Sequence, residues 1–282
     1  MKILYYNWAQ FDDKNNTGGG VTIYLRNVID YLINNTEHEI YFLSAGSKYN
    51  PFRKNYYIKQ TQNIHGNKCK SFEVINAPIM APISISFMNI EKYLNDFTSC
   101  EIFDKFIIEH GPFDVIHINN FEGISENILK LKEKYSNTKF IFSVHNYIPI
   151  CPLAQYFQNH NNIICHDYKN GQECLKCIPS KPSKRDYYRC CKKYFSEILS
   201  GNKKKFKIFV FPLLKLFNFR AKEYIGHKSY IKPEKYAEYR KSNIEKLNKY
   251  ADCILAVSER VRQIMVEHGV DSKKVITSYI GT

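Results

Sequence analysis

The feature that most constrains this chain is a set of short Val/Ile/Phe-rich runs that do not alternate with polar residues. They fall within residues 1–7, His38–Ala45, Phe113–Ile118, Lys139–Val144 and Cys253–Val257. A strand with one wet face alternates, whereas a strand covered by helices on both faces reads as a continuous apolar run. Helical segments lie between the runs. Val21, Tyr24, Leu25, Val28 and Leu32 recur at three- and four-residue spacing, the period of one helix face. These patterns predict an α/β fold, a doubly wound Rossmann-like parallel sheet.

Further strands are expected near Tyr56–Lys59, Phe72–Asn76 and Val275–Tyr279. Helices are expected over 88–109, stopping at Gly111-Pro112, over 123–135 and over Ser258–His268. Between about 145 and 250 the alternation breaks. Residues 145–185 hold most of the cysteines and little periodicity, and 187–250 read as two or three basic helices. The expectation is one domain over 1–282 with a helical, cysteine-bearing insertion. A chain of 282 residues buries roughly three quarters of its unfolded surface, so its core needs no staples.

No run approaches the ~20 apolar residues of a membrane span. The opening Met-Lys-Ile-Leu-Tyr-Tyr-Asn-Trp is too short in apolar residues for a signal peptide and reads as a first strand. A cytoplasmic protein is expected, so the nine cysteines read as thiols or metal ligands rather than disulfides.

The net charge of +14 is local: residues 181–250 hold 20 Lys and Arg against 6 Asp and Glu, and the other 212 residues balance. A functional surface is one reading. A lysine-rich composition, 33 Lys to 8 Arg, is the other. Lysine lacks the bidentate fork with which arginine reads bases, so specific nucleic-acid recognition is not expected. Diffuse attraction to phosphate or an anionic membrane fits better.

In doubly wound sheets ligands bind beyond the carboxyl ends of the strands, and three features fall there. Gly18-Gly19-Gly20 precedes the first helix, where a bare backbone and free N–H groups suit an anion; a plain tight turn reads equally well. Asp114-Val115-Ile116-His117-Ile118-Asn119-Asn120 and Phe142-Ser143-Val144-His145-Asn146-Tyr147 each end a strand in His and Asn. One such histidine alone reads as a structural residue. Two beside a glycine loop read as a site, since imidazole and amide groups hydrogen-bond sugar hydroxyls and move protons. No G-x-S-x-G elbow and no P-loop is present.

These pieces, together with Asp252-Cys253-Ile254-Leu255-Ala256-Val257-Ser258-Glu259, resemble in order and spacing the N-terminal domain of GT-B glycosyltransferases of family 4. The resemblance implies a retaining, hexosyltransferase-like enzyme that uses a nucleotide-sugar and needs no cofactor for its chemistry. It implies that Gly19 and Gly20, with Gly18, lie near donor phosphates or acceptor. His117 and Asn119 would line the acceptor cleft, where many relatives have His-x-His. His145 would be the catalytic residue nearest the reacting sugar, with Asn146 where relatives often carry Asp, and Ser258 would cap the helix after the last full strand. In relatives a second Rossmann-like domain follows a segment like Val275–Thr282. It carries basic residues for the leaving diphosphate and a Glu-x7-Glu element for the donor. That donor domain is expected to be absent here, and the chain alone is expected to have little or no transferase activity.

Cys151, Cys165, Cys174 and Cys177 form C-x13-C-x8-C-x2-C, and four thiolates suffice for a tetrahedral structural zinc. Related transferases with a Cys-Pro shortly after the strand-end histidine often carry such a cluster, and Cys151-Pro152 follows His145 here. His160 and His166 are substitute ligands, and Cys190-Cys191 compete. Reduced free cysteines and disulfide or redox chemistry are the alternatives.

The most apolar window, Phe206–Phe219, follows Lys203-Lys204-Lys205 and fits an interfacial segment with a lysine rim. It also fits packing into the domain or against a missing one. Membrane docking suits a lipid-linked acceptor, as in envelope or capsular polysaccharide synthesis. Two other readings stand beside the transferase: a basic zinc-knuckle nucleic-acid-binding protein, and a non-catalytic partner of a separate donor domain.

Overall fold

The computed structural model describes residues 1–12, 18–61, 68–82, 90–178, 184–199, 210, 212 and 231–280. Its strands are β1 (Lys2–Tyr6), β2 (Glu39–Ala45), β3 (Tyr57–Gln60), β4 (Cys69–Ile75), β5 (Val115–Ile118), β6 (Lys139–Val144), β7 (Phe157–Gln158), β8 (Ile163–Ile164), β9 (Cys253–Ala256) and β10 (Val275–Thr277). Eight of them form one sheet in the order β10-β9-β6-β5-β1-β2-β4-β3. All neighbours are parallel except β3, an antiparallel edge strand on β4. β7 and β8 pair as a separate hairpin.

The non-alternating runs have the cause expected for them. Along β1, Leu4 and Tyr6 enter one apolar cluster while Ile3 and Tyr5 enter another. β2 divides likewise, with Tyr41 and Leu43 in the first cluster and Ile40 and Phe42 in the second. The second cluster is closed by α1 (Gly19–Asn35) through Leu25, Ile29 and Ile33. The first is closed by α2 (Ile90–Leu94), α3 (Thr98–His110) and a 3₁₀ helix, Glu126–Glu133. The doubly wound α/β fold read from the sequence is therefore the observed one.

Two helix expectations change. The long helix over 88–109 is α2 and α3, separated at residues 95–97. There Asp96 Oδ1 accepts from the Ser99 backbone N–H at 3.2 Å and Asp96 Oδ2 pairs with Ser99 Oγ, so the side chain starts a new helix. The segment expected as helix 123–135 is the shorter 3₁₀ turn. Ser125 Oγ and Asn127 Nδ2 donate to the Asp96 carbonyl at 3.2 and 3.0 Å, tying its first turn to the loop between α2 and α3.

In the cysteine-bearing region the structure has the β7–β8 hairpin, α4 (Gln172–Cys177), α5 (Lys184–Ile198) and α6 (Glu234–Tyr250), followed outside it by α7 (Glu259–Glu267). Tyr236, Tyr239 and Leu247 of α6 belong to the main core, and Tyr239 donates to the Ile148 carbonyl at 2.6 Å. α5 docks through Tyr187, Cys190, Cys191 and Phe195, which pack with Tyr49, Met80 and Val210. A buried ion network holds the same contact: Lys48 reaches Glu73 of β4 at 2.8 Å and Glu197 of α5 at 2.5 Å. Apart from Val210 and Pro212, the apolar window Phe206–Phe219 lies outside the described residues, as does Lys203-Lys204-Lys205. Among the described residues no helix is long and apolar enough to cross a membrane.

Candidate functional site

From β1 the chain winds outward through β2 and β4, then returns to place β5 on the opposite side of β1. That reversal opens a crevice at the carboxyl ends of β1 and β5, the place where such sheets bind ligands. Asn7 follows β1, Asn119 and Asn120 follow β5, His145 follows β6 and Ser258 follows β9. The N-terminus of α1 begins at Gly19.

The glycines differ in purpose. A Cβ on Gly18 would lie 1.9 Å from Thr22 Oγ1 and 2.5 Å from Ala9 Cβ, so Gly18 is a packing glycine. Gly19 has φ +60, which favours glycine, while a Cβ on Gly19 or Gly20 would meet nothing within 4 Å. Both are exposed and leave open space over the start of α1.

Asn119 is fully buried, and its side chain is fixed by the backbones of β1 and β5. Its Nδ2 donates to the Tyr6 carbonyl at 3.2 Å and to the His117 carbonyl at 3.4 Å. Oδ1 is therefore an acceptor, and it faces His145 Nε2 at 3.2 Å. A proton must sit on that nitrogen. Burial pushes His145 down to about 4, so the ring is neutral at pH 7 and Nδ1 carries the free lone pair. Nδ1 is buried and has no hydrogen-bond partner among the described residues. The ring as a whole stays partly exposed, with Tyr24 of α1 tilted across it, centroids 5.4 Å apart.

His117 is more enclosed. Its Nε2 pairs with Ser143 Oγ at 2.7 Å, and the ring packs on Tyr5 at 5.3 Å. Burial, with a smaller contribution from His145, pushes it down to about 3. It supports the wall behind His145. Asn146 Oδ1 accepts from Ile148 N at 3.1 Å, and its Nδ2 reaches Glu122 Oε1 at 3.5 Å. Ser258 Oγ accepts from Val261 N at 3.2 Å, a helix N-cap.

Sequence reasoning missed Tyr24, Glu122 and the Asn7–Asn120 side-chain pair in this crevice. Tyr24 lies one helical turn after Gly20, a spacing that places both on one side of α1. Glu122 offers the crevice a carboxylate, where the sequence predicted only amides and imidazoles; it lies just after Asn119-Asn120.

Away from the crevice, Cys151, Cys165, Cys174 and Cys177 all line one small, mostly apolar pocket, shared with Glu173 and Arg240. Convergence of the four was expected. A ready ligand set was expected too, but among the described residues no three His, Cys, Asp or Glu side chains are arranged to hold a metal ion. His160, the substitute ligand, places Nδ1 3.3 Å from Cys177 Sγ. Cys190 and Cys191 lie elsewhere, on the buried face of α5.

No family model and no curated protein matches this chain. Among solved structures it is similar to Anabaena Alr3699/HepE in complex with UDP-glucose, at 9% identity and TM-score 0.38, covering 100% of this chain and 44% of that one. It is also similar to WaaB, a lipopolysaccharide outer core galactosyltransferase in its apo form, at 14% identity and TM-score 0.39, covering 99% of this chain and 45% of that one. The chain thus spans less than half the length of these solved structures.

Proposed function

We infer that this chain is the acceptor-side, N-terminal half of a GT-B glycosyltransferase. The supporting observation is His145, a neutral imidazole at a strand end with Nε2–H held by Asn119 and a buried Nδ1 lone pair unpartnered among the described residues. Nδ1 is closed to solvent as the site stands, so a sugar hydroxyl reaches this lone pair only once the residues over it part; the nitrogen then accepts a hydrogen bond and, at the right distance, takes the proton. Asn146, Glu122 and Tyr24 supply the amide, carboxylate and aromatic face that carbohydrate recognition uses. Gly19 and Gly20 leave the α1 N-terminus open to an anionic group such as a nucleotide-sugar diphosphate.

On this reading the sugar acceptor binds between α1 and the ends of β5 and β6. A nucleotide-sugar is held chiefly by a C-terminal donor domain, and anomeric configuration is retained. No cofactor takes part in the transfer. The acceptor is a growing envelope or capsular saccharide, carried on lipid. The excess of lysine and arginine within 181–250 draws the protein to an anionic membrane face.

The test is binding of mono- and oligosaccharides and of UDP-sugars to the chain, by calorimetry and saturation-transfer NMR. Saccharide binding that weakens about tenfold in His145→Ala, with turnover only when a donor domain is supplied, supports the reading. Saccharide binding unchanged by His145→Ala, or rapid turnover by the chain alone, overturns it. Co-sedimentation with liposomes checks the membrane step: binding should need anionic lipid and fade with salt.

A further inference from the structure

His145 keeps its lone pair on a nitrogen that nothing reaches. Nδ1 is buried and has no hydrogen-bond partner among the described residues, while Nε2 is turned toward Asn119 Oδ1 at 3.2 Å. Buried acceptors are normally satisfied, so an unpaired one beside an open crevice marks a place that a ligand donor completes. The described ring packed on His145 is Tyr24 of α1, with centroids 5.4 Å apart and planes tilted by 55°.

Tyr24 is held loosely. It is half-buried, whereas Thr22 and Leu25 beside it on α1 are buried. Its hydroxyl makes no hydrogen bond among the described residues. The hydroxyls of Tyr6, Tyr93 and Tyr239 are anchored instead, donating to the Glu122 carbonyl, the Glu126 carboxylate and the Ile148 carbonyl. Nothing polar fixes the Tyr24 ring over the histidine.

The helix also leaves the ring somewhere to go. Helical side chains lean toward the N-terminus, over the residue four places earlier. For Tyr24 that residue is Gly20. It is exposed, and a Cβ there would meet nothing within 4 Å among the described residues. A side chain at position 20 would occupy the ground over which the Tyr24 ring turns, and the glycine hydrogen leaves it clear.

We propose that Tyr24 gates the acceptor site: its ring covers Nδ1 of His145 in the empty crevice and turns over Gly20 to admit a sugar hydroxyl. This rests on the reading of the crevice as a saccharide site and adds the residue that controls entry to it. Gly18 and Gly20 then have separate purposes on one helix end. Gly18 lets α1 pack against Ala9 and Thr22, and Gly20 keeps the path of the ring open. Apparent affinity is the intrinsic affinity scaled by the open fraction. One aromatic contact biases such an equilibrium about two- to tenfold, so the gate slows entry without sealing the crevice.

Access to Nδ1 can be read without any sugar, from the rate at which diethyl pyrocarbonate acylates His145 at pH 7, resolved by peptide mapping. The reagent needs an imidazole lone pair. Tyr24→Ala should speed the reaction about two- to tenfold, and Tyr24→Phe should match the wild type. Gly20→Val should slow it, while Tyr24→Ala/Gly20→Val should react as fast as Tyr24→Ala alone, because the valine acts only through the ring. Buried His117 must stay unmodified, which reports that each variant is folded; where Tyr24→Ala exposes it, Gly20→Val at its exposed position decides. Association rates of a neutral oligosaccharide, by stopped flow, should follow the same order. Equal acylation in wild type, Tyr24→Ala and Gly20→Val overturns the gate, even where saccharides bind and His145→Ala weakens them. Slowing by Gly20→Val that persists without Tyr24 overturns it too. The expected acylation pattern in a chain that binds no saccharide upholds the cover over Nδ1 and refutes the carbohydrate reading instead.

Discussion

Asn119 sets the proton of His145. Its Oδ1 stands 3.2 Å from Nε2, and its Nδ2 is committed to two backbone carbonyls, so the amide cannot flip without losing them. The neutral ring is thereby fixed as the Nε2–H tautomer. Long-range 15N NMR of the histidine side chains should show that tautomer for His145 at pH 7, still unprotonated near pH 5 because its value lies at about 4. Asn119→Ala should mix the tautomers. Asn119→Asp should raise the His145 value toward or above its ordinary range, because a carboxylate favours imidazolium. A His145 resonance that titrates near 6.5 in the wild-type chain would contradict the geometry.

Acid should weaken the fold through the two crevice histidines. In the folded chain His117 stays neutral down to about 3 and His145 down to about 4, while unfolded histidine titrates near 6.5. Between those values the unfolded chain binds more protons, so stability is full above about 6.5 and falls as pH drops, by about 1.4 kcal/mol per pH unit for each histidine. Urea unfolding of wild type and His117→Gln between pH 7 and 4.5 measures this. The difference in stability between the two proteins should shift toward the variant by that slope. Parallel pH profiles would mean that His117 is not neutral and enclosed as described.

The strands and α1 were legible because their signals are local: apolar runs and a 3.6-residue period. The crevice was partly legible for the same reason. His117 lies near the end of β5 and Asn119 follows directly after it, and the topology of a doubly wound sheet then brings strand ends together. What was not legible depends on partners distant in sequence. The break at residues 95–97 starts from Asp96 and Ser99 but is anchored by Ser125 and Asn127, about thirty residues later. Arg240 sits in a lysine-rich stretch that reads as a solvated surface, and its burial comes from Tyr168 and from Cys174, 66 residues earlier. Glu73 gave a usable warning, since a carboxylate amid the apolar residues of β4 implies a buried partner. Nothing local named Lys48.

That network makes unequal demands on its two acids. Glu73 is 1% exposed, and it also takes hydrogen bonds from Gln10 at 2.6 Å and Ser47 at 3.0 Å. Removing it leaves the buried Lys48 ammonium with Glu197 as its remaining acid in the described network. Glu73→Ala should therefore destabilise by about 3–5 kcal/mol, the cost of breaking a buried pair. The Glu197 side chain is 41% exposed, and water can replace it. Glu197→Ala should cost about 1 kcal/mol or less, mainly by loosening α5. Chemical denaturation of the two variants at pH 7 separates the cases, and equal losses would count against the buried role of Glu73.

Gly18 and Gly20 should separate packing from binding. Alanine at Gly18 would drive its Cβ into Thr22 and Ala9 at 1.9 and 2.5 Å. Thr22 is buried and its Oγ1 accepts from Asn7 at 3.3 Å, so it has little freedom to yield. Gly18→Ala should cost about 1–3 kcal/mol of stability, the usual penalty for overpacking, and should lower saccharide binding only as far as the crevice is disturbed. Alanine at Gly20 meets nothing within 4 Å and replaces a glycine in the first turn of a helix. Gly20→Ala should leave stability unchanged or raise it by up to about 1 kcal/mol. Its methyl would project into the open space over the α1 N-terminus, so binding of an anionic ligand there should weaken while the thermal midpoint holds. A Gly20→Ala protein that binds UDP-sugars as tightly as wild type would remove the α1 N-terminus from the site and leave the crevice to His145 and its neighbours.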